Sequence, residues 1–339
     1  MTKYIVLSFA FLLNVVLSLV YASFVQEVVF QDFIDVIRPI TIVISLLLGV
    51  ALFQKDFKKE NLIDFFISLG LISSAVVFLE KLGMSFFYEL YSDFNHKSMN
   101  RATGIYYDFA ELGAMQSIAI IAATIKFIEE KKHIYIYYLL IFSISIILST
   151  SKASILLLGI LFSLLVIKIF TSSKFYRPKY ILSFFLIMGV AFYLTYIYVE
   201  NDPLLLDGLK AVFSVSRENH SVNNRLDNID YVVGLVEKFD LRSFIGYSAS
   251  RNVEGSYIEV AFFSVLFRYG IVGTVLYYLI FIGVLFEKIP KPYNYFKYVV
   301  FATIVLDTVA AMTNRFSFPI ALFILVGILI SEKNKLHTK

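Results

Sequence analysis

Apolar residues in this chain come in long unbroken runs, near 4–25, 34–53, 62–82, 105–127, 134–150, 153–170, 180–199, 256–286, 296–313 and 317–331. Most approach the length of about 20 residues that a helix needs to cross a bilayer. They are continuous and do not alternate with polar positions, which argues against a transmembrane β-barrel. The pattern predicts an all-α polytopic membrane protein with about ten transmembrane helices. The run at 256–286 is too long for a straight crossing. It is expected to tilt, to break, or to begin as a helix lying in the interface.

Polar residues gather in two stretches between these runs, near 83–104 and 200–255. The second is not a plain linker. Leu226, Ile229, Val232, Val233, Val236 and Phe239 recur at helical spacing between Arg225 and Phe239. An amphipathic helix is predicted there, lying on the bilayer or capping the bundle. No internal repeat or low-complexity tract divides the chain, so 1–339 reads as a single integral membrane domain with 200–255 as a large loop within it.

Composition agrees with the pattern. The chain is 59% hydrophobic and 17% charged, where soluble domains run about 45–50% and about 25%. Cysteine is absent, which excludes disulfides and thiolate metal sites, and the four histidines (His96, His133, His220, His337) fall in no metal-ligand spacing. No cofactor is expected. Tryptophan is also absent, leaving 23 tyrosines to form the aromatic belt. The net charge of +4 points to membrane anchoring and not to nucleic acid. The first run has no convincing small-residue cleavage site after it and reads as a retained span.

Charge sets the orientation. With the N-terminus inside, most lysines and arginines fall in cytoplasmic segments: Lys3; Lys55, Lys58 and Lys59; Lys126, Lys131 and Lys132; Lys168, Lys174, Arg177 and Lys179; Lys288, Lys291 and Lys297; Lys333, Lys335 and Lys339. Both termini are then cytoplasmic. The short outer loops hold Arg38, Lys97, Arg101, Lys152 and Arg315, and the 200–255 loop also faces out.

Candidate chemistry lies on that outer side. Arg101 precedes the fourth run, Arg217, Arg225, Arg242 and Arg251 sit in the long loop, and Lys152 occupies the turn LSTSKASI. Guanidinium groups stay charged and present a planar fork suited to phosphate oxygens. Several converging on one pocket would hold a lipid diphosphate without a metal, whereas singly each is more commonly solvated or bound to a headgroup. Arg225 stands out because it opens the amphipathic helix. Among carboxylates, Glu254 precedes the long run and Glu259 lies one turn into it. Asp108 and Glu111 are three apart and share a helix face. Each is read either as an interhelical or solvated polar group or as a general base beside an acceptor hydroxyl. Arg268, inside the long run, must face a cavity or a carboxylate unless the helix starts later. Gly270 and Gly273 read as packing or kink residues. Asp307, Asn314 and Arg315 flank the last outer turn and are placed to close the same pocket.

Several of these pieces occur in a telling order: Arg101 with Gly104 ahead of a span, Ser151-Lys152 in a short turn, Arg225 followed by Gly246, then EGSYIEVAFFSVLFRYGIVG. From about 100 to 330 the chain resembles the O-antigen ligase and Wzy-type O-antigen polymerase superfamily. In that family the turn usually carries Ser-Arg, and the last block a polar residue, a helix and a Gly-x-x-Gly ending. Ligases commonly have a His where this chain has Glu254, which favours a polymerase. The family's Asn-rich segment is replaced by YYDFAEL, which leaves Asp108 and Glu111 open. The resemblance implies a GT-C-like fold and a metal-independent glycosyltransferase in the bacterial cytoplasmic membrane, with its active site facing the periplasm or exterior. Its donor and acceptor would be oligosaccharide repeat units of O-antigen or capsule on undecaprenyl diphosphate. Membrane lipids and a chain-length regulator are the other expected partners. Arg225, Arg101 and Glu254 would be catalytic. Lys152, Arg217, Arg251, Asp108, Arg268 and Arg315 would bind substrate.

Two other functions compete. A ligase would move finished polymer to lipid A core or protein, using the same donor. A lipid-glycan flippase or transporter would show paired half-repeats and charges along a central route. Here no repeat is evident, and the charges gather near one face.

Overall fold

The computed structural model describes residues 2–25, 30–54, 59–84, 102–106, 109–171, 220–247, 258, 260–291, 293–308, 310 and 317–337, together with the isolated positions 189 and 193. In chain order the helices are α1 (Thr2–Val25), α2 (Phe30–Gln54), α3 (Lys59–Lys81), α4 (Phe109–Glu130), α5 (Ile134–Leu148), α6 (Lys152–Thr171), α7 (His220–Val236), α8 (Leu241–Ile245), α9 (Ala261–Phe286), α10 (Phe296–Asp307) and α11 (Ser317–His337). A 3-10 turn, Tyr293–Tyr295, leads into α10. No strand occurs among the described residues. Four of these helices, α1, α3, α4 and α9, are long and apolar enough to cross a membrane, and shorter apolar helices occur within α2, α5, α6 and α11. The architecture is that of a helical membrane protein. The expected span at 180–199 falls almost wholly outside the described residues.

Several boundaries differ from the sequence expectation. The amphipathic helix begins at His220, so Arg225 lies inside it and does not open it, and it stops at Val236 instead of Phe239. Phe239 takes a positive φ of 48°, and Asp240 then caps a new short helix by accepting from the Ser243 N–H at 2.9 Å. The long run of 256–286 breaks, the second of its three expected outcomes. Gly270 sits at φ 65°, ψ −172° inside α9.

Contacts group the chain into two compact units, Met1–Phe57 with Ser216–Lys339, and Lys58–Val215. In the second unit α4 is the hub, packed against α3, α5 and α6. Small residues permit that. A Cβ on Gly113 would lie 2.1 Å from the Ser154 side chain, and one on Gly70 would lie 2.6 Å from Ala119. Close approach of this kind is how helices pack in lipid, where the hydrophobic effect no longer drives them together. Two buried hydroxyls of α4 are satisfied within the helix: Ser117 donates to the Gly113 carbonyl and Thr124 to that of Ile120, both at 2.8 Å. Gln116 reaches across to the Gly70 carbonyl at 3.1 Å and to Ser74 at 3.0 Å.

In the first unit α2 packs on α11 through the same device. A Cβ on Gly49 would meet the Ile324 carbonyl at 2.2 Å, and one on Gly327 the Leu46 carbonyl at 2.4 Å. The other half of this unit is built on α1 against α9. One end of that pair is pinned by charge. Buried Glu287 accepts from the Tyr4 hydroxyl at 2.8 Å and pairs with Lys3. Lys297 caps the carbonyls of Leu285, at 2.8 Å, and of Glu287.

Candidate functional site

The break in α9 is the most unusual backbone feature of the described membrane helices. A positive φ at Gly270 interrupts the hydrogen-bond ladder, so carbonyls just before it lose their helical donors. In a membrane an unsatisfied carbonyl is costly, and three outside donors take their place. The Phe267 carbonyl accepts from the Tyr247 N–H at 2.8 Å. That of Arg268 accepts from the Ser18 hydroxyl at 3.2 Å, and that of Tyr269 from the Asn14 amide at 2.8 Å. Ser18 and Asn14 are buried polar residues on α1. Their presence in an otherwise apolar span is explained by this contact.

The segment Phe244–Tyr247 fits against the break backbone to backbone. A Cβ on Gly246 would lie 2.2 Å from the Arg268 carbonyl oxygen, and one on Gly270 would lie 2.3 Å from that of Phe244. Both positions also have positive φ, 93° and 65°, so glycine is required twice over. Tyr247 stacks on Phe267 with ring centroids 5.1 Å apart. Val232, Tyr247, Ile258 and Phe267 form a buried cluster, flanked by Tyr231, Leu235, Val236, Phe263 and Leu266. This cluster holds α7 on the first half of α9.

Arg268 is half-buried in this setting. It lines a pocket with Phe11, Arg38, Pro39, Ile42, Ser264, Val265, Tyr269 and Tyr277. Two arginines from separate helices, Arg38 exposed and Arg268 half-buried, thus border one small concavity with three aromatic rings. Guanidinium groups are suited to an anion with several oxygens. Sequence places Arg38 in a short outer loop. In the structure it lies within α2, directly before Pro39. A charged residue beside a proline inside an apolar run was the available signal.

The remaining predicted site residues fall as follows. Arg225 lies half-exposed on α7, in the same unit as Arg268, and its helix packs on the half-helix that carries Arg268. Lys152 is the first residue of α6 in the other unit, half-buried behind Ser151, whose hydroxyl accepts from the Ser154 N–H at 3.3 Å. Arg101, Asp108, Arg217, Arg251, Glu254 and Arg315 lie outside the described residues, as do Glu259 and Asn314. Glu111 is buried in the first turn of α4. Asp307 is fully buried and accepts from the Tyr278 hydroxyl at 3.1 Å. The segment after Arg101 is tied down by a residue that sequence analysis passed over. Glu80, at the end of α3, accepts from the N–H groups of Thr103 at 3.0 Å and Gly104 at 3.2 Å, and from the Thr103 hydroxyl at 3.3 Å.

Outside the membrane helices Asp240 is a titratable group with a clear perturbation. The Ser243 N–H and hydroxyl that it accepts hold its carboxyl below the usual aspartate value. Among the described residues no group of three or more His, Asp or Glu is placed to hold a metal ion. No protein-family model, no curated protein and no solved structure matches the chain.

Proposed function

We propose that this protein is a polysaccharide polymerase that joins oligosaccharide repeat units carried on undecaprenyl diphosphate at the outer face of a bacterial cytoplasmic membrane. The observation that carries this reading is Arg268, a half-buried guanidinium within an apolar helix that shares a pocket with Arg38 beside a backbone break. Charged side chains at membrane depth are costly and usually mark a substrate path. A lipid diphosphate presents the chemistry that two such groups match, with its charge at the headgroup level and its prenyl chain in the bilayer. The ordered motifs around Arg101, Ser151-Lys152, Arg225 and Glu254 add the resemblance to O-antigen polymerases.

In the proposed reaction an acceptor hydroxyl attacks the anomeric carbon of the donor sugar. A glycosidic C–O bond forms, the bond from that carbon to the phosphate oxygen breaks, and undecaprenyl diphosphate leaves. Glu254 takes the hydroxyl proton. Arg225 and Arg268 neutralise the charge that grows on the diphosphate, a term that is often the largest in catalysis, while Arg101 and Lys152 are assigned only the roles that the resemblance implies. Arg217, Arg251, Asp108 and Arg315 are assigned to substrate binding.

The test replaces the chromosomal gene with Arg225→Ala or Arg268→Ala and follows glycan length on gels, with membrane protein levels measured in parallel. Loss of one transition-state cation costs about 100-fold or more in rate, so the ladder should collapse to single repeats at unchanged protein level. Persistence of long glycan in both variants overturns the assignment. Accumulation of long, unattached polymer would instead identify a ligase.

A further inference from the structure

We infer that the segment Phe239–Tyr247 dips into the bilayer and seats Phe239, Leu241 and Phe244 among lipid acyl chains, although sequence places it in a polar loop. This stands apart from the proposed activity, because it follows from helix geometry alone.

Depth can be measured along α1 from the polar end of the unit. Lys3, Tyr4 and Glu287 mark that end, since Glu287 is followed by Lys288 and Lys291. At 1.5 Å per residue, Ser18 lies about 21 Å above Tyr4, and the last residue of α1, Val25, about 10 Å higher still. Ser18 binds the Arg268 carbonyl, and Gly246 abuts that same carbonyl. The contact therefore sits about 10 Å short of the far end of α1, within a hydrocarbon core about 30 Å thick. Amphipathic elements bound in an interface lie about 5–10 Å deep, so the Gly246 end of α8 reaches the deep limit of that range. It touches α1 as well as α9.

The surface of the segment fits that depth. Phe239 is 70% exposed, Leu241 55% and Phe244 40%. Leu241 and Phe244 are three apart on one helix face, and the Phe239 and Phe244 rings lie 6.4 Å apart. Together they make an apolar patch on a segment whose other face is fixed to α9. The helices that α8 touches also expose apolar side chains, Val16, Leu17 and Val20 on α1 and Val272 and Val275 on α9. Its polar neighbours, Lys238 and Asp240, precede α8 and would stay at headgroup level. Arg242 is half-buried, its guanidinium 5.7 Å from the centre of the Tyr247 ring, where the ring face offsets the cost of a charge near lipid.

The chain has no tryptophan and no cysteine, so one introduced residue is a clean reporter. Phe244→Trp and, separately, Lys238→Trp are reconstituted as full-length protein in phosphatidylcholine vesicles. Bromines are carried either near the glycerol or near the methyl end of the acyl chains. Seating in the leaflet predicts that shallow-brominated lipid quenches the indole emission of Phe244→Trp at least twofold and iodide hardly at all, with the reverse for Lys238→Trp. Strong iodide quenching of Phe244→Trp, or quenching by neither agent, overturns the inference, the latter by showing that protein covers the patch. If Phe244→Trp does not fold, Phe244→Cys with a nitroxide label gives the same decision by oxygen against aqueous-nickel accessibility.

Discussion

Helices α4 and α9 solve one problem in opposite ways. Both are apolar, both are long enough to cross a membrane, and both carry polar groups. In α4 the backbone stays continuous and hydroxyls such as those of Ser117 and Thr124 fold back onto it. In α9 the backbone itself opens at Gly270, and its carbonyls draw on donors from two other elements. α4 is closed in among its neighbours, whereas α9 is broken, partly open, and holds an arginine at the break. The difference separates a helix that builds the scaffold from one shaped to meet something else. Irregular backbone is tolerated at membrane depth where its polar groups are satisfied by protein, as the carbonyls of Phe267, Arg268 and Tyr269 are by Tyr247, Ser18 and Asn14.

The largest effect expected of this contrast is at the break. Gly270→Ala puts a Cβ 2.3 Å from the Phe244 carbonyl oxygen and forces alanine into positive φ. The two costs together should destabilise the first unit by roughly 3–5 kcal/mol. Thermal unfolding in detergent checks this. A loss below about 1 kcal/mol would mean that the segment at Gly246 is not seated on α9. The contact was only partly legible in the sequence. Gly246 and Gly270 could be flagged as turn or kink residues one at a time. Their mutual approach joins elements separated by a stretch of mixed polarity, and no local period encodes that pairing.

Legibility follows the same line elsewhere. Expected spans that fall on described residues coincide with helices, four of them long and apolar enough to cross a membrane, because apolar length is a local property and hydrocarbon thickness sets it. The expected helix at Arg225 is also present, because its spacing is local too. Arg38 is misplaced by sequence because a proline next to a charge reads as a loop, although Pro39 is tolerated inside α2. Glu80 escapes notice because its role, holding Thr103 and Gly104, lies in backbone donors that leave no trace in residue type. Asn14 and Ser18 could have been singled out as polar residues in the first span. The partner that explains them is some 250 positions away.

Those two residues give the next test, and it sharpens the comparison. Asn14→Leu strands the Tyr269 carbonyl with no helical donor, so it should cost about 1–3 kcal/mol. Ser117→Ala in α4 removes a hydrogen bond of nearly the same length, yet the Gly113 carbonyl keeps its place in the intact ladder. That change should fall within about 0.5 kcal/mol. Equal losses from the two variants would show that the break in α9 makes no special demand on α1.

The smallest effect is at the edge of the same region, where charge and not packing holds the chain. Asp240 accepts from the Ser243 N–H at 2.9 Å and from its hydroxyl at 3.0 Å, and these bonds depress its carboxyl below the ordinary value. A depressed carboxyl stabilises the folded state most above its unfolded value of about 3.9, and the gain is lost as pH falls through the lower folded value. Amide exchange at Ser243 reads this directly, once corrected for intrinsic rates. Protection should be level above about pH 5 and decline steadily below about pH 4. Asp240→Asn keeps an N-cap of similar quality but cannot titrate, so its protection should stay flat across the same range. An identical acid decline in Asp240→Asn would assign the loss to some other group. The amides of the buried middle of α4 should show no matching step. The acid sensitivity would then belong to the segment that meets the broken helix.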